Sequence, residues 1–369
     1  MDADSKAGSK VTADSNKILL SVRDLVVEYT SDDQIIHAVN NVSFDVRRGE
    51  TLGLVGETGA GKTSIAKSIL RILPDPPAKI RNGSVFFEGE DIMLMREEKL
   101  RQIRGRRISM VFQDPMTALN PVMRIGNQVA EVIRLHSEVS NAEAQERARE
   151  MLEMVGITRD RFFEYPHQFS GGMKQRVIIA IALACKPDLL LADEPTTALD
   201  VTIQGQVLDM IKDLKDRLRT SMILITHDLG IVAEICDSVA VVYAGEIIEY
   251  GSKEDIFLHA AHPYTLGLFG ALPDMNSETE RLYPIDGMTP DPTNLPIGCK
   301  FSPRCPQVKP ECESDVIPLK NLSEKHQCRC LLYACPITSS VIAASAPQTP
   351  DNTRMTHGIA DQARNDTEG

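Results

Sequence analysis

The chain has 369 residues, enough for about two domains, and its 42% hydrophobic and 25% charged residues are ordinary for a globular protein. Its formal charge of −12 argues against nucleic-acid binding, because proteins that bind DNA or RNA need basic surface to displace counterions. The N-terminus lacks a signal-peptide pattern and the longest apolar run, VIIAIALAC, is about half the length that crosses a bilayer, so we expect a cytoplasmic protein without a membrane span.

The first half of the chain predicts strands, a glycine loop and a helical insertion. Residues 1–16 are polar and indicate a disordered tail. The stretches ILLSVRDLVVEY and HAVNNVSFDVRRGE alternate apolar and polar positions, which is typical of antiparallel strands. TLGLVG then leads into a glycine-rich loop and a helix over about Lys62 to Leu73. From about 115 to 170 the pattern is helical, which predicts an inserted helical subdomain.

The second half of the core alternates helices with the buried strands LLLAD and MILIT, as in a parallel sheet. We therefore predict an α/β core domain over residues 17–260, with an antiparallel β subdomain. Residues 261–337 are rich in Pro, Gly and Cys and predict a small Cys-rich appendage, and residues 338–369 are a second disordered tail.

The sequence GETGAGKT fits the phosphate-loop pattern G-x-x-x-x-G-K-[ST], with an apolar strand before it and a helix after it. Glycines let the backbone wrap phosphates, the lysine neutralises the outer phosphates, and the threonine hydroxyl can ligate Mg²⁺. A plain strand-to-helix turn is the alternative. The predicted ATP-binding residues of this loop are Gly56, Glu57, Thr58, Gly59, Ala60, Gly61, Lys62, Thr63 and Ser64.

Polar residues at the ends of three further strands predict the hydrolytic machinery. Asp193 ends the buried strand LLLAD and can hold the water shell of Mg²⁺, and Glu194 can polarise the attacking water as general base. Either carboxylate alone could instead be the N-cap of a helix, but an N-cap role does not explain why two carboxylates stand side by side. Gln113 could reach Mg²⁺ or water and His227 the γ-phosphate, although a lone Gln or His at a strand end is more often structural.

A second anion-holding turn, FSGGM, stands at the predicted start of a helix. The order of motifs over about residues 18–260 resembles that of the ATP-binding subunits of ABC transporters. These motifs are the phosphate loop, Gln113, the turn FSGGM, LLLADEP, ALD ending at Asp200, and His227. The resemblance implies that Tyr29 stacks on adenine. It also implies that this turn acts on ATP held by a second ABC ATPase chain; its residues are Ser170, Gly171, Gly172 and Met173. Phe169, Met173, Thr58 and Ala60 depart mildly from the usual family residues.

The helical insertion beginning FQDPMTALNP, the sequence HPYT and the segment PDPTNLPIGCKFSPRCPQVKPEC resemble the peptide and nickel importer group. This resemblance implies an ATPase that powers peptide import at the cytoplasmic face of the membrane. Its implied partners are a paralogous ATPase, two membrane permease subunits and an extracytoplasmic substrate-binding protein. Nickel, glutathione and oligosaccharide importers, and a soluble ABC ATPase acting on nucleic acid, are the alternatives.

Six of the eight cysteines fall between residues 299 and 335, which in a reducing cytoplasm favours metal over disulfides. Lys300, Arg304, Lys309 and Arg329 are placed to offset thiolate charge. The spacing matches neither paired C-x2-C zinc sites nor the compact ferredoxin run. Some importer ATPases of this group carry an iron–sulfur cluster in such a tail, and the family pattern selects Cys330 over Cys328 as the fourth ligand. We predict a 4Fe-4S cluster, with zinc or unligated thiols as alternatives; its ligands are Cys299, Cys305, Cys312 and Cys330.

Overall fold

A computed structural model describes residues 17–31, 34–114, 118–196, 199–270 and 285–333. The tails predicted over 1–16 and 338–369 lie outside the described residues, so their prediction stays open. The chain divides into two compact units, one of residues 1–21, 45–51 and 85–225 and one of residues 22–44, 52–84 and 226–369. Each unit is described separately below.

The strands, labelled in chain order, are β1 (Ile18–Ser31), β2 (Gln34–Arg47), β3 (Thr51–Val55), β4 (Ala78–Phe87), β5 (Glu90–Asp91), β6 (Ile108–Val111), β7 (Leu189–Asp193), β8 (Ser221–Thr226), β9 (Ser238–Tyr243), β10 (Glu246–Ser252), β11 (Lys320–Asn321) and β12 (Gln327–Cys328). The α-helices are α1 (Lys62–Ile69), α2 (Glu97–Ile103), α3 (Ile125–His136), α4 (Asn141–Met154), α5 (Gly171–Leu183), α6 (Val201–Leu218), α7 (Leu229–Ile235), α8 (Lys253–Leu258), α9 (Pro263–Gly270) and α10 (Glu311–Ser314). Helix α1 is therefore shorter than the helix predicted over about 62–73.

In the first unit, β7 lies between β6 and β8, and both pairings are parallel. All residues of β6 and β7 are buried, which explains why their sequences are continuously apolar rather than alternating. Between β6 and β7 the described residues form α3, α4 and α5, of which α3 and α4 lie in the region predicted as a helical insertion.

In the second unit, β3 pairs in parallel with β9, and β9 pairs antiparallel with β10. Strand β10 then pairs with β12, with Glu249 opposite Cys328, and β12 pairs with β11. The Cys-rich segment therefore adds two short strands to the edge of this sheet. Strands β2, β1 and β4 follow one another in a separate sheet.

A buried carboxylate attaches the C-terminal segment to this unit. Glu249 on β10 is 0% exposed, and its Oε1 accepts hydrogen bonds from the Ala261 amide at 2.6 Å and from His326 Nε2 at 2.8 Å. Its Oε2 accepts the His262 amide at 3.0 Å. Three donors offset the desolvation of the carboxylate, and they fix both the chain before α9 and the chain before β12.

Two helical glycines of the first unit give opposite stability predictions. A Cβ on Gly126 in α3 would lie 2.2 Å from Cδ2 of the buried Phe162 ring, whereas a Cβ on Gly205 in α6 would meet nothing within 4 Å. We expect Gly126→Ala to lower the free energy of unfolding by about 1–3 kcal/mol through overpacking. Gly205→Ala should raise it by about 0.5–1 kcal/mol, because alanine is the better helix former. Urea unfolding of both variants checks this, and a stabilising Gly126→Ala would contradict the packing described.

Candidate active site

The phosphate loop follows the fully buried strand β3 and needs glycine at two positions. Gly56 has φ 150° and Gly61 has φ 98°, values that side chains disfavour. A Cβ on Gly56 would lie 2.1 Å from the Val242 carbonyl oxygen, and one on Gly61 would lie 2.2 Å from the Ala38 carbonyl oxygen. Any other residue at these positions would therefore collide with the backbone of β9 or β2.

Lys62 is the first residue of α1 and only 6% exposed. Its Nζ donates to the carbonyl oxygens of Gly56 at 2.6 Å and Glu57 at 2.9 Å, so the loop curls around the cation. The hydroxyls of Tyr29 and Ser64 lie 3.0 Å apart and share a hydrogen bond. Tyr29, the phosphate loop and the helix N-terminus that follows are thus brought together in the second unit, in an arrangement suited to anions.

The predicted catalytic carboxylate lies in the first unit, after β7. Asp193 at the end of β7 is 2% exposed, and the next residue, Glu194, has φ 45°. This left-handed conformation is uncommon for a residue other than glycine and is concentrated at functional sites. Gln113 donates from Nε2 to Glu194 Oε2 at 2.7 Å. The structure therefore brings Gln113 and Glu194 together.

The remaining predicted site residues lie at helix starts. His227 is exposed between β8 and α7, and Asp200 directly precedes α6. In the first unit, the exposed Ser170 caps α5, and its hydroxyl accepts the Met173 amide at 3.4 Å. A Cβ on Gly172 would lie 2.7 Å from Ile203 Cγ2, so this turn packs closely against α6.

The sequence alone does not reveal two C-terminal residues that contact the phosphate loop within the second unit. The hydroxyl of Tyr264, from the HPYT motif, accepts the Glu57 amide at 2.9 Å. Arg304, expected from the sequence to offset thiolate charge, instead pairs with the Glu57 carboxylate at 2.9 Å. In the sequence the HPYT motif indicates only a family resemblance, and it is the one feature that could have drawn attention to Tyr264.

Among the four predicted cysteine ligands, Cys305 interacts electrostatically with Cys312, Cys330 interacts with Cys305 and Cys312, and Cys299 interacts with the other three. Burial raises the pKa of Cys299 to about 11, and the neighbouring thiols act in the same direction. The Phe301 backbone amide acts in the opposite direction, because its hydrogen bond stabilises the thiolate. Gln307 and Leu332 donate amides in the same way to Cys305 and Cys330.

Cys328 packs with Cys330 and Ala261, and it interacts electrostatically with the buried Glu249, with Cys330 and with Cys299. Burial and the Glu249 charge raise its pKa well above the usual range. Within the described ranges, no group of three or more His, Cys, Asp or Glu side chains has the arrangement of a metal site. Cys335 lies outside the described residues.

Residues 39–197 match the ABC transporter family, and residues 248–312 match the oligopeptide/dipeptide transporter C-terminal region. The dipeptide transport ATP-binding protein of Bacillus subtilis is 45% identical over 89% of this chain and 98% of that protein. The oligopeptide transport ATP-binding protein of Escherichia coli is 48% identical over 80% of this chain and 88% of that protein. The chain belongs to the ABC ATPases of the oligopeptide and dipeptide transporter family.

Solved structures agree with this assignment and confirm the predicted fold class. The dimeric post-hydrolysis structure of an ATP-binding cassette bound to ADP and Pi has a TM-score of 0.58 and is 26% identical, covering 63% of this chain and 98% of that one. As an ABC ATPase, the chain binds and hydrolyses ATP with Mg²⁺. No helix in the part of the chain that the structure describes is both long enough and apolar enough to span a membrane.

His262 gives a pH prediction. Its Nδ1 accepts the Tyr264 amide at 3.1 Å, and burial lowers its pKa to about 4. Because the unfolded pKa is about 6.5, the folded state binds fewer protons, so stability is complete above about pH 6.5 and is lost as pH falls towards about 4. We expect a loss of about 2 kcal/mol in the free energy of unfolding between pH 7 and pH 5 from this group.

His262→Asn should reduce that pH dependence, since asparagine can still accept the Tyr264 amide but does not titrate. His259→Asn is the matched control, because His259 is exposed near the same helix. Chemical unfolding at a series of pH values measures the slopes. Equal slopes in wild type and His262→Asn would contradict the prediction.

Proposed function

We propose that this ABC ATPase powers the import of peptides from the cytoplasmic face of the membrane, as a peripheral subunit of an ABC transporter. The observation that carries the proposal is the match of residues 248–312 to the oligopeptide/dipeptide transporter C-terminal region. Relatives named as dipeptide and oligopeptide transport ATP-binding proteins, 45% and 48% identical, support it.

In this proposal Lys62 and the loop amides bind the ATP phosphates, and Tyr29 stacks on adenine. Thr63, Gln113 and Asp193 would hold Mg²⁺, which when bound neutralises charge on the phosphates. Hydroxyl, amide and carboxylate oxygens are the donor types that Mg²⁺ prefers, so the residues present fit the ion.

Glu194 acts as the general base that takes a proton from the attacking water. Gln113 donates a hydrogen bond to its carboxylate, at 2.7 Å, and so orients the base. His227 contacts the γ-phosphate in this scheme. The left-handed backbone at Glu194 supports a functional role, because a strained residue is retained where its side chain must point in one direction.

We propose that the turn from Ser170 to Met173 completes the ATP site of a second, paralogous ABC ATPase, with Asp200 at the same interface. The exposure of Ser170 and Gly171 at the start of α5 supports this role, because an anion-holding turn that faces solvent can serve a neighbouring chain. Two membrane permeases and an extracytoplasmic substrate-binding protein complete the proposed transporter. The segment from Asp114 to Gln128 is proposed to contact a permease, although its residues 115–117 lie outside the described residues.

We further propose that Cys299, Cys305, Cys312 and Cys330 bind a 4Fe-4S cluster, with zinc as the alternative. The Cys299 thiol interacts electrostatically with Cys305, Cys312 and Cys330, and a shared ligand would remove this repulsion, although the described side chains do not take the arrangement of a metal site. The backbone amides that point at three of the sulfurs are the kind of hydrogen bond that tunes cluster sites. Such a ligand would stabilise a segment that has few buried apolar residues of its own.

Glu194→Gln tests the function in cells. The substitution keeps the shape of the side chain and removes the base, so we expect uptake of a labelled dipeptide to fall at least about 100-fold while the purified chain still binds ATP. Lys325→Gln, an exposed surface change, should support normal uptake. Unchanged dipeptide uptake with Glu194→Gln would contradict the proposal, as would normal uptake in cells that lack the chain.

Anaerobic purification followed by iron, sulfide and zinc analysis tests the cluster. We expect about four iron and four sulfide per chain. Cys330→Ser should lose the metal, whereas Cys328→Ser should retain it, because the Cys330 thiol interacts with Cys305 and Cys312 and the Cys328 thiol interacts with neither. Stoichiometric zinc without iron, or equal losses in the two variants, would overturn the assignment.

A further inference from the structure

Glu57, the second residue of the phosphate loop, is held by two C-terminal residues. Its carboxylate receives two hydrogen bonds from Arg304, Nη1 to Oε2 at 2.9 Å and Nη2 to Oε1 at 3.1 Å. Its backbone amide donates to the Tyr264 hydroxyl at 2.9 Å. One loop residue is therefore fixed at both its side chain and its backbone by residues that lie more than two hundred positions away in sequence.

The ion pair has the geometry and burial of a strong one. The Arg304 side chain is only 5% exposed and the Glu57 side chain 27%. Two parallel bonds between a guanidinium and a carboxylate add orientation to charge attraction, which a single surface contact does not. Arg304 also lies over the Tyr243 and Phe301 rings, each at 5.9 Å, and donates to the Tyr243 hydroxyl at 3.3 Å.

Arg304 is in turn fixed by its own segment. Its Nε donates to the Asp286 carbonyl oxygen at 3.0 Å and its Nη2 to the Ile285 carbonyl oxygen at 3.2 Å. The guanidinium therefore joins residues 285–286 to Glu57, and the next residue after Arg304 is Cys305. A displacement of this segment would change the position of the guanidinium.

The same segment approaches the loop at a second place. The His37 amide of β2 donates to the Pro292 carbonyl oxygen at 2.9 Å. A cavity of about 400 Å³ remains between the segment and the loop, with Glu57, Thr58 and Pro290 among its lining residues. Residues 285–304 thus lie along the phosphate loop as well as bonding to it.

We propose that Arg304 is a positioning residue for ATP binding. Through Glu57 it holds the first turn of the phosphate loop in the conformation that surrounds Lys62. The Glu57 carbonyl oxygen accepts the Lys62 ammonium at 2.9 Å, so a shift of Glu57 moves an acceptor of the phosphate-binding cation. ATP affinity accordingly depends on the folded state of residues 285–304.

The coupling acts in both directions, because a segment that raises ATP affinity is itself stabilised by bound ATP. Amides in residues 285–304 should therefore exchange more slowly with deuterium when ATP is present. A purely structural arginine would stabilise the segment equally with and without nucleotide. The exchange experiment thus separates a positioning role from general support of the fold.

The test uses the full purified chain, a fluorescent ATP analogue and Mg²⁺. We expect Arg304→Gln and Glu57→Gln each to raise the Kd by about 2- to 30-fold, the usual range for a residue that acts through another. The double variant should be no weaker than the more affected single variant, since both changes break one interaction. Arg304→Lys should lie between wild type and Arg304→Gln, because lysine keeps the charge but not the paired geometry.

Lys325→Gln is the matched control, because it removes one positive charge from an exposed C-terminal side chain outside residues 285–304. Its Kd should equal that of wild type. If Arg304→Gln does not fold, the Arg304→Lys and Glu57→Gln affinities decide the question. An unchanged Kd in these variants, additive losses in the double variant, or ATP-dependent exchange that persists in Glu57→Gln would overturn the proposal.

Discussion

A buried cation inside a backbone loop is the constraint on which the nucleotide site depends. The Lys62 ammonium is almost fully removed from solvent, and the carbonyl oxygens of Gly56 and Glu57 take the place of water. A loop can direct its carbonyls inward in this way only if its backbone turns through left-handed conformations close to neighbouring strands. Glycine is the residue that permits both the conformation and the approach. The binding site is thus already shaped around its charge, which lowers the ordering cost of binding a phosphate chain.

The buried Glu249 carboxylate attaches the C-terminal region to β10 rather than shaping the nucleotide site. It satisfies two backbone amides and one imidazole, all contributed by residues that follow it in sequence. Removing any one donor would leave part of a carboxylate buried without a partner, which is more costly than losing an exposed ion pair. The region after residue 260 is therefore joined to β10 by an interaction that is strong only when all of its parts are present.

Local features of the fold were predictable because local sequence determines them. Gly56, Gly61 and Lys62 specify the loop by steric and charge requirements within one short segment, and continuous apolar runs specify β6 and β7. Gln113 and Glu194 follow β6 and β7, which are paired and parallel, so both residues lie at the same edge of the sheet. The pairing of Arg304 with Glu57 was not predictable, since a single charged residue has many possible partners across the chain and no periodicity selects among them. Because Arg304 directly precedes Cys305 in sequence, the sequence indicated the cysteine thiolates as its partners rather than Glu57.

The two short strands at the C-terminus also decide what β10 presents to its surroundings. Strand β9 satisfies one side of β10, and β12 covers the other. An uncovered strand offers a row of unpaired amides and carbonyls to which another chain can add, whereas the two-residue strands β11 and β12 offer very little. Cleavage between α9 and β12 that released the C-terminal piece would uncover the backbone from Ile248 to Tyr250 at this edge. Resistance to aggregation therefore depends on the same short strands that carry Cys328.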